Sequence, residues 1–225
     1  MSELRLIGRG RDADVFAIDE RWVLRRYRSG RSAEHEAAVM EHARKTGYPV
    51  PAVREAKGPD LVVARVDGRT MSADLARRPW RLSAHAALLG DLHRRLGAIR
   101  APAWMQAPVG PGTSLLHLDL HPDNVLITAK GPWVIDWANA ARGPAAADVA
   151  MTFLIVGGFP ESSSLPGRVR DMLRRRFAHE FLQAAGGDGV RELLAAVAER
   201  RLADANLDPA EREAVQELAT RILAA

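Results

Sequence analysis

The chain has 225 residues, a formal net charge of +4 and no cysteine, so it can bury a sizeable core in one or two lobes and holds neither a disulfide framework nor a zinc–thiolate site. No apolar run approaches the roughly 20 residues of a membrane span, no signal-like leader opens the sequence, and no basic run is interleaved with aromatics. A soluble, cytoplasmic protein with neither nucleic-acid nor membrane partners is expected.

Residues 4 to 28 read as three strands. Leu4 to Ile7 leads into Gly8-Arg-Gly10-Arg-Asp-Ala13-Asp-Val15, Val15 to Ile18 runs to a turn at Asp19-Glu20, and Trp22 to Tyr27 is the third. The two glycines, followed by a small residue at Ala13, let backbone N–H groups approach an anion such as phosphate. A strand-like stretch follows them where a dinucleotide-binding turn requires a helix, which disfavours a Rossmann reading. In the third strand, period two puts Val23 and Arg25 on one face and Leu24 and Arg26 on the other.

A helix is predicted over 33–45, with Ser32 as N-cap and with Met40 and Ala43 on its buried stripe. Glu36 lies four residues before Met40 on that stripe. A buried carboxylate needs a partner, and Arg25 is the natural one. Gly47 ends the helix, and Pro49 and Pro51 block its restart. Strands over 52–55 and 60–66 follow, separated by Lys57-Gly58-Pro59, and the run Leu61 to Ala64 reads as a buried central strand. From Thr70 to Arg100 the pattern is helical. Leu82, Ala86, Leu89, His93 and Leu96 share one stripe, which makes His93 a hydrogen-bonded core histidine. A proline-containing loop over 101–114 then delivers the chain to His117.

Residues 115 to 148 organise the rest. Val125 to Thr128 and Pro132 to Ile135 are apolar runs joined by Ala129-Lys130-Gly131, a hairpin signal. Its closure sets Asn124 and Asp136 side by side as oxygen donors suited to Mg²⁺, and Asp119, one loop earlier, is placed to accept a proton from a hydroxyl. Beyond it, Asp148 heads a helix over 149–156. Val169, Met172, Leu173, Phe177 and Phe181 make the next apolar face, then Val190, Leu193, Leu194 and Val197, then Val215, Leu218 and Ile222. Asp208-Pro209-Ala210-Glu211 carries an N-cap, a proline at the first helical position and an acid at the third. The stretch 157–167 reads as a loop near an acceptor site. Acids and arginines nearly balance over residues 151–225, which argues against a polycationic acceptor.

The run His117-Leu118-Asp119, with Asn124 five positions after the aspartate and Ile135-Asp136-Trp137 beyond the hairpin, resembles the catalytic segment of the aminoglycoside phosphotransferase and choline kinase-like family. The family's usual pattern is His-Gly-Asp-Leu-His-Pro-Gly-Asn followed by Ile-Asp-Trp, so Leu118 and Asp123 stand where it has glycine. The resemblance covers essentially the whole chain. It implies a two-lobed, protein-kinase-like α+β fold, with a small antiparallel-sheet N-lobe and one helix over 1–66 and a larger, mainly helical C-lobe over 67–225. It implies transfer of the γ-phosphoryl group of ATP, with GTP left open as the donor, to a hydroxyl of a small molecule, either antibiotic-like or a metabolite.

In that reading Asp119 is the catalytic base and Asn124 and Asp136 hold Mg²⁺. Gly8, Gly10, Ala13 and Val15 form the loop over the phosphates. Arg25 stands at the usual Lys position, where a guanidinium can still grip phosphate, and Glu36 is its helix partner. The backbone of Ala64, Arg65 and Val66 forms the adenine-binding hinge, and Asp148 braces the catalytic loop through backbone N–H groups. Only eleven residues separate Asp136 from Asp148, too few for the activation segment that holds a peptide in protein kinases. A minimal protein Ser/Thr kinase and a non-catalytic nucleotide-binding relative are the alternatives. Monomer and dimer are both compatible with the sequence.

Overall fold

The computed structural model describes residues 4–158, 167–204 and 207–223. In chain order the elements are β1 (Arg5–Arg9), β2 (Ala13–Ala17), β3 (Trp22–Tyr27), α1 (Glu34–Lys45), β4 (Val53–Lys57), β5 (Asp60–Ala64), the two-residue β6 (Arg69–Thr70), α2 (Met71–Arg77), α3 (Leu82–Gly97), β7 (Ser114–Leu116), β8 (Val125–Thr128), β9 (Gly131–Val134), β10 (Ala141–Gly143), α4 (Ala145–Gly158), α5 (Gly167–Ala185), α6 (Val190–Leu202) and α7 (Pro209–Leu223). They sort into two compact units, Met1–Arg69 with Val125–Ala138, and Thr70–Asn124 with Asn139–Ala225. The sequence suggests one division after residue 66. The observed division also hands the segment 125–138 to the first unit, because its contacts lie there. The Val134 N–H donates to the Pro49 carbonyl at 2.8 Å, and the Trp137 ring meets Tyr48 edge-on at 5.7 Å.

The first unit is built on a five-stranded antiparallel sheet in the order β1-β2-β3-β5-β4. A bulge between Leu6 and Gly8 sets Gly8 opposite Val15. β5 lies inside the sheet, as the apolar run suggests, but only Leu61 is fully buried there and Val62 to Ala64 are half-covered. α1 starts one residue later than predicted. Ala33 is its N-cap, and the Ser32 hydroxyl still accepts the Glu34 N–H at 3.1 Å. The helix stops at Gly47, whose φ of +82° suits glycine. Glu36, Ala37, Val39, Met40 and Ala43 form its buried face.

In the second unit the predicted 70–100 helix is two helices, since Pro79 interrupts the pattern after Arg77. Ala86, Leu89, Leu92, His93 and Leu96 of α3 are buried. β7 and β10 form a short antiparallel pair. α4 begins at Ala145, so Asp148 falls within its first turn rather than ahead of it, and the helix continues through Gly158. The face proposed for α5 is only partly covered. Phe177 and Phe181 are buried, whereas Val169 and Met172 are 39% and 59% exposed. Asp208 and Glu211 cap α7 reciprocally, Glu211 N–H to Asp208 Oδ1 at 2.8 Å and Asp208 N–H to Glu211 Oε2 at 3.3 Å. Val215 and Leu218 are buried in α7. Residues 159–166 of the suggested acceptor loop lie outside the described residues, as does the Ile222 side chain. Among the described residues no helix is long and apolar enough to cross a membrane.

Candidate active site

The two units each carry part of the predicted site. In the first, Gly10 closes the β1–β2 turn by donating its N–H to the Ala13 carbonyl at 2.8 Å. Ala13 pairs with Tyr27 across the sheet and is buried. Its backbone is extended, so a methyl group there is compatible with the turn. One residue absent from the sequence reading holds this loop. The Arg28 guanidinium donates to the Gly10 carbonyl at 2.9 Å and to the Arg11 carbonyl, and pairs with Asp14 at 2.8 Å. An exposed arginine just past a strand carries no signal for such a role, because its three acceptors are set by the fold of the turn.

Arg25 sits on β3 opposite Leu61 of β5. Its guanidinium forks, Nη1 donating to Glu36 Oε1 and Nη2 to Asp136 Oδ1, each at 2.5 Å. The Arg25–Glu36 contact expected from the helix phase is therefore present. Glu36 is buried and fully engaged. It also accepts the Tyr27 hydroxyl and, at 3.0 Å, the Trp137 backbone N–H. Burial raises the Glu36 pKa, and the Arg25 guanidinium pulls it back down. Burial acts to lower the Arg25 pKa, but the Asp136 and Glu36 carboxylates outweigh it and the net direction is up, so Arg25 stays charged. Arg26, on the other face, pairs with Asp60 at 2.6 and 2.7 Å on the exposed surface. The period-two reading separated these neighbours correctly. Asp136 has a φ of +65°, a conformation Asp tolerates better than most residues. In the segment 64–66, the Ala64 N–H donates to the Ala52 carbonyl and the Arg65 N–H to the Arg21 carbonyl, both at 2.8 Å.

The second unit carries the loop that holds Asp119. Asp148 Oδ1 accepts the backbone N–H groups of His117 at 3.0 Å and Leu118 at 2.6 Å, pinning the loop ahead of Asp119. Burial raises the Asp148 pKa, partly offset by His117 and by these two N–H donors. The Asn124 amide donates to the Asp119 carbonyl at 2.8 Å and to its carboxylate at 3.2 Å. That fixes the Asp119 rotamer and turns the Asn124 carbonyl oxygen away from Asp119. His117 is fully buried. His121 Nε2 lies 3.8 Å from Asp119 Oδ1. Asp123 is tied to α2 by the Ser72 hydroxyl.

Leu118 stands at φ +59° with its side chain buried. It lines a cavity of about 570 Å³, together with Met151 and with Glu199, Arg200, Arg201 and Asp204 of the end of α6 and the turn after it. Arg201 Nη1 is 3.7 Å from Asp119 Oδ1 and 3.4 Å from Asp204 Oδ2. The sequence reading passed over Arg200 and Arg201, because two arginines in a last helical turn read as solvated charges facing the helix dipole.

A family model described as the phosphotransferase enzyme family, APH, matches residues 3–112 and 106–194. A search of curated proteins gave no match. Among solved structures, a thermostable mutant of the aminoglycoside phosphotransferase APH(4)-Ia, in apo form, matches with a TM-score of 0.69 at 16% identity, over 99% of this chain and 94% of its own. The gentamicin complex of APH(2")-IIa matches at 0.65 and 12% identity, over 100% and 91%. A choline/ethanolamine kinase family protein from Mesorhizobium loti matches at 0.61 and 16% identity, over 100% and 89%. These likenesses show the fold, α+β and kinase-like, and the family match reaches well beyond half of the sequence: the chain belongs to the phosphotransferase enzyme family.

Proposed function

We propose that this protein transfers the γ-phosphoryl group of ATP to a hydroxyl of a small molecule, with Mg²⁺. The observation that carries the reading is the catalytic loop, in which Asp119 is aimed by the Asn124 amide on a backbone gripped by Asp148. A general base needs such a fixed rotamer before it needs a shifted pKa. In the step, the acceptor oxygen bonds to the γ-phosphorus, the bond from that phosphorus to the β,γ-bridging oxygen breaks, ADP leaves, and Asp119 takes the hydroxyl proton.

The other roles follow the family pattern. Arg25 grips the nucleotide phosphates with Glu36 as its anchor, and the turn containing Gly8, Gly10, Ala13 and Val15 covers them. The adenine is met by carbonyl groups of residues 64–66 and the Val66 amide, since the Ala64 and Arg65 N–H groups are bonded within the sheet unit. Asn124 and Asp136 would hold the metal. Their donor set fits: an amide oxygen and a carboxylate that is 38% exposed are hard ligands, and Mg²⁺ bound with a nucleotide takes only one or two protein carboxylates besides phosphate oxygens. When bound, the metal neutralises charge on the phosphates.

The test is a screen of hydroxylated antibiotics and metabolites for ATP consumption, followed by Asp119→Ala with the best acceptor. Turnover should fall by roughly two to four orders of magnitude while nucleotide binding persists. An alanine variant with near-normal turnover would falsify the assignment. Phosphate appearing only on a protein acceptor would favour the minimal protein kinase instead.

A further inference from the structure

We infer that the cavity beside Asp119 recognises a carboxylate, and that the acceptor is a small hydroxylated acid rather than a polycation. The acceptor role rests on the phosphotransferase reading; recognition of the carboxylate rests on the cavity.

The Arg201 side chain is only 10% exposed, yet its Nε is buried without a hydrogen-bond acceptor among the described residues. A buried guanidinium N–H left unpaired is costly, and a turn of the side chain that brings it to the cavity lets a ligand oxygen remove that cost. Arg201 Nη1 is shared between Asp119 and Asp204 at 3.7 and 3.4 Å, distances that leave neither contact a short, well-formed bond. Arg200 lines the same cavity, and burial pushes its pKa down, with Asp204 offsetting this. Two partly desolvated guanidinium groups face one space, and planar bidentate donors of this kind match carboxylate geometry.

The rest of the lining sets the ligand's shape. Leu118 and Met151 give an apolar wall, and the volume of about 570 Å³ lies within the usual range for small-molecule sites. Glu199 and Asp204 are also present, so the cavity is balanced in charge rather than strongly basic, and a single carboxylate fits better than a polyanion. A polycationic acceptor would meet Arg200 and Arg201 at close range, and of the three acids at hand, Glu199, Asp204 and Asp119, the last two are already set against Arg201. Arg201 also fixes the distance between subsite and base. A carboxylate on its Nε leaves Nη1 beside Asp119, so the hydroxyl to be phosphorylated lies within a few bonds of the carboxylate.

The experiment separates binding from transfer. Calorimetry on the full chain without nucleotide compares gluconate and glucuronate with glucose, glucosamine and kanamycin. The acids should bind more tightly than glucose, and the amines more weakly. Arg201→Gln should weaken binding of the acids roughly ten- to a hundredfold, the range for a lost charge-assisted hydrogen bond. Arg201→Lys, which keeps the charge but not the fork, should lose less, and circular dichroism confirms that both variants are folded. Acid binding unchanged in Arg201→Gln, or glucosamine and kanamycin bound as well as the acids, would overturn the inference. Arg201-dependent binding of the acids with no ATP-dependent phosphorylation of any of them would leave the carboxylate site standing and sink the phosphotransferase reading.

Discussion

Leu118 is held at φ +59°, in the left-handed region that a branched side chain enters at a cost of roughly 1–2 kcal/mol. The two Asp148-bound N–H groups and the buried side chain hold it there. The usual order of substitutions should therefore reverse at this site. Leu118→Ala loses the buried side chain and keeps the strain. Leu118→Gly loses the same packing and relieves it. Chemical denaturation should find the glycine variant more stable than the alanine variant by about 1 kcal/mol, although in ordinary backbone glycine is the worse of the two. Equal or lower stability for Leu118→Gly would contradict this account. At this scale the sequence was legible where a residue type is chemically unusual in its setting. Asp119 and Asn124 stand among apolar runs, and the structure joins them directly. Arg28 and Arg201 were not legible, because both act through partners that only the tertiary fold brings to them.

Between elements, the decisive contact is β3 to α1. Arg25 joins Glu36 of the helix to Asp136 beyond β9, and the Tyr27 hydroxyl closes the same carboxylate from the strand side. Arg25→Met leaves Glu36 buried without its cation, which typically costs about 3–5 kcal/mol. Adding Glu36→Gln removes the stranded charge, so the double variant should recover more than half of that loss. Single effects that simply add in a denaturation cycle would show that the pair is not coupled. Helical phase, strand period and the family pattern together foretold this contact, since Glu36 lies on the Met40 stripe, Arg25 falls on the opposite face from Arg26, and Arg25 stands at the family's usual Lys position. The same logic overreached on α5, where the apolar stripe runs on through Val169 and Met172 into exposed turns. Periodicity reports which face is apolar, and only packing decides how far along the helix that face is covered.

At the scale of the whole molecule, acid sensitivity should come from the core of the second unit. His93 is buried against the Phe181 ring, with Nδ1 2.9 Å from the Leu89 carbonyl, Nε2 2.9 Å from the Thr152 hydroxyl and 3.8 Å from Asp148. Burial pushes its pKa down to about 4, with the Leu89 bond pulling it back up partway. A histidine depressed in the folded state binds its proton more tightly when unfolded, so its contribution to stability is lost as pH falls from about 6.5 to about 4, up to roughly 3 kcal/mol in all. Asp148 works in the opposite sense, since burial raises its pKa and its contribution falls as pH rises. The difference between the wild type and His93→Gln isolates the histidine. The wild type should lose about 3 kcal/mol more than the variant across that interval, and parallel stability curves would refute the assignment.

The division into units was the least legible feature of all. Local patterns mark where elements start and stop, but the segment 125–138 is claimed by partners more than eighty residues upstream, at Pro49, Tyr48 and Glu36. This has a consequence for modularity. The first unit is discontinuous in the chain, so it is not a bead that can be cut off at a linker, shuffled by recombination or displayed as a fragment. Residues 1–69 on their own would carry the whole five-stranded sheet and α1. They would also leave Arg25 without Asp136, Glu36 without the Trp137 N–H, and Tyr48 without its ring partner. A ribosome that has released the sheet has therefore not yet released the parts that complete it. The first unit can be completed only after residues 70–124, which belong to the other, have been synthesised.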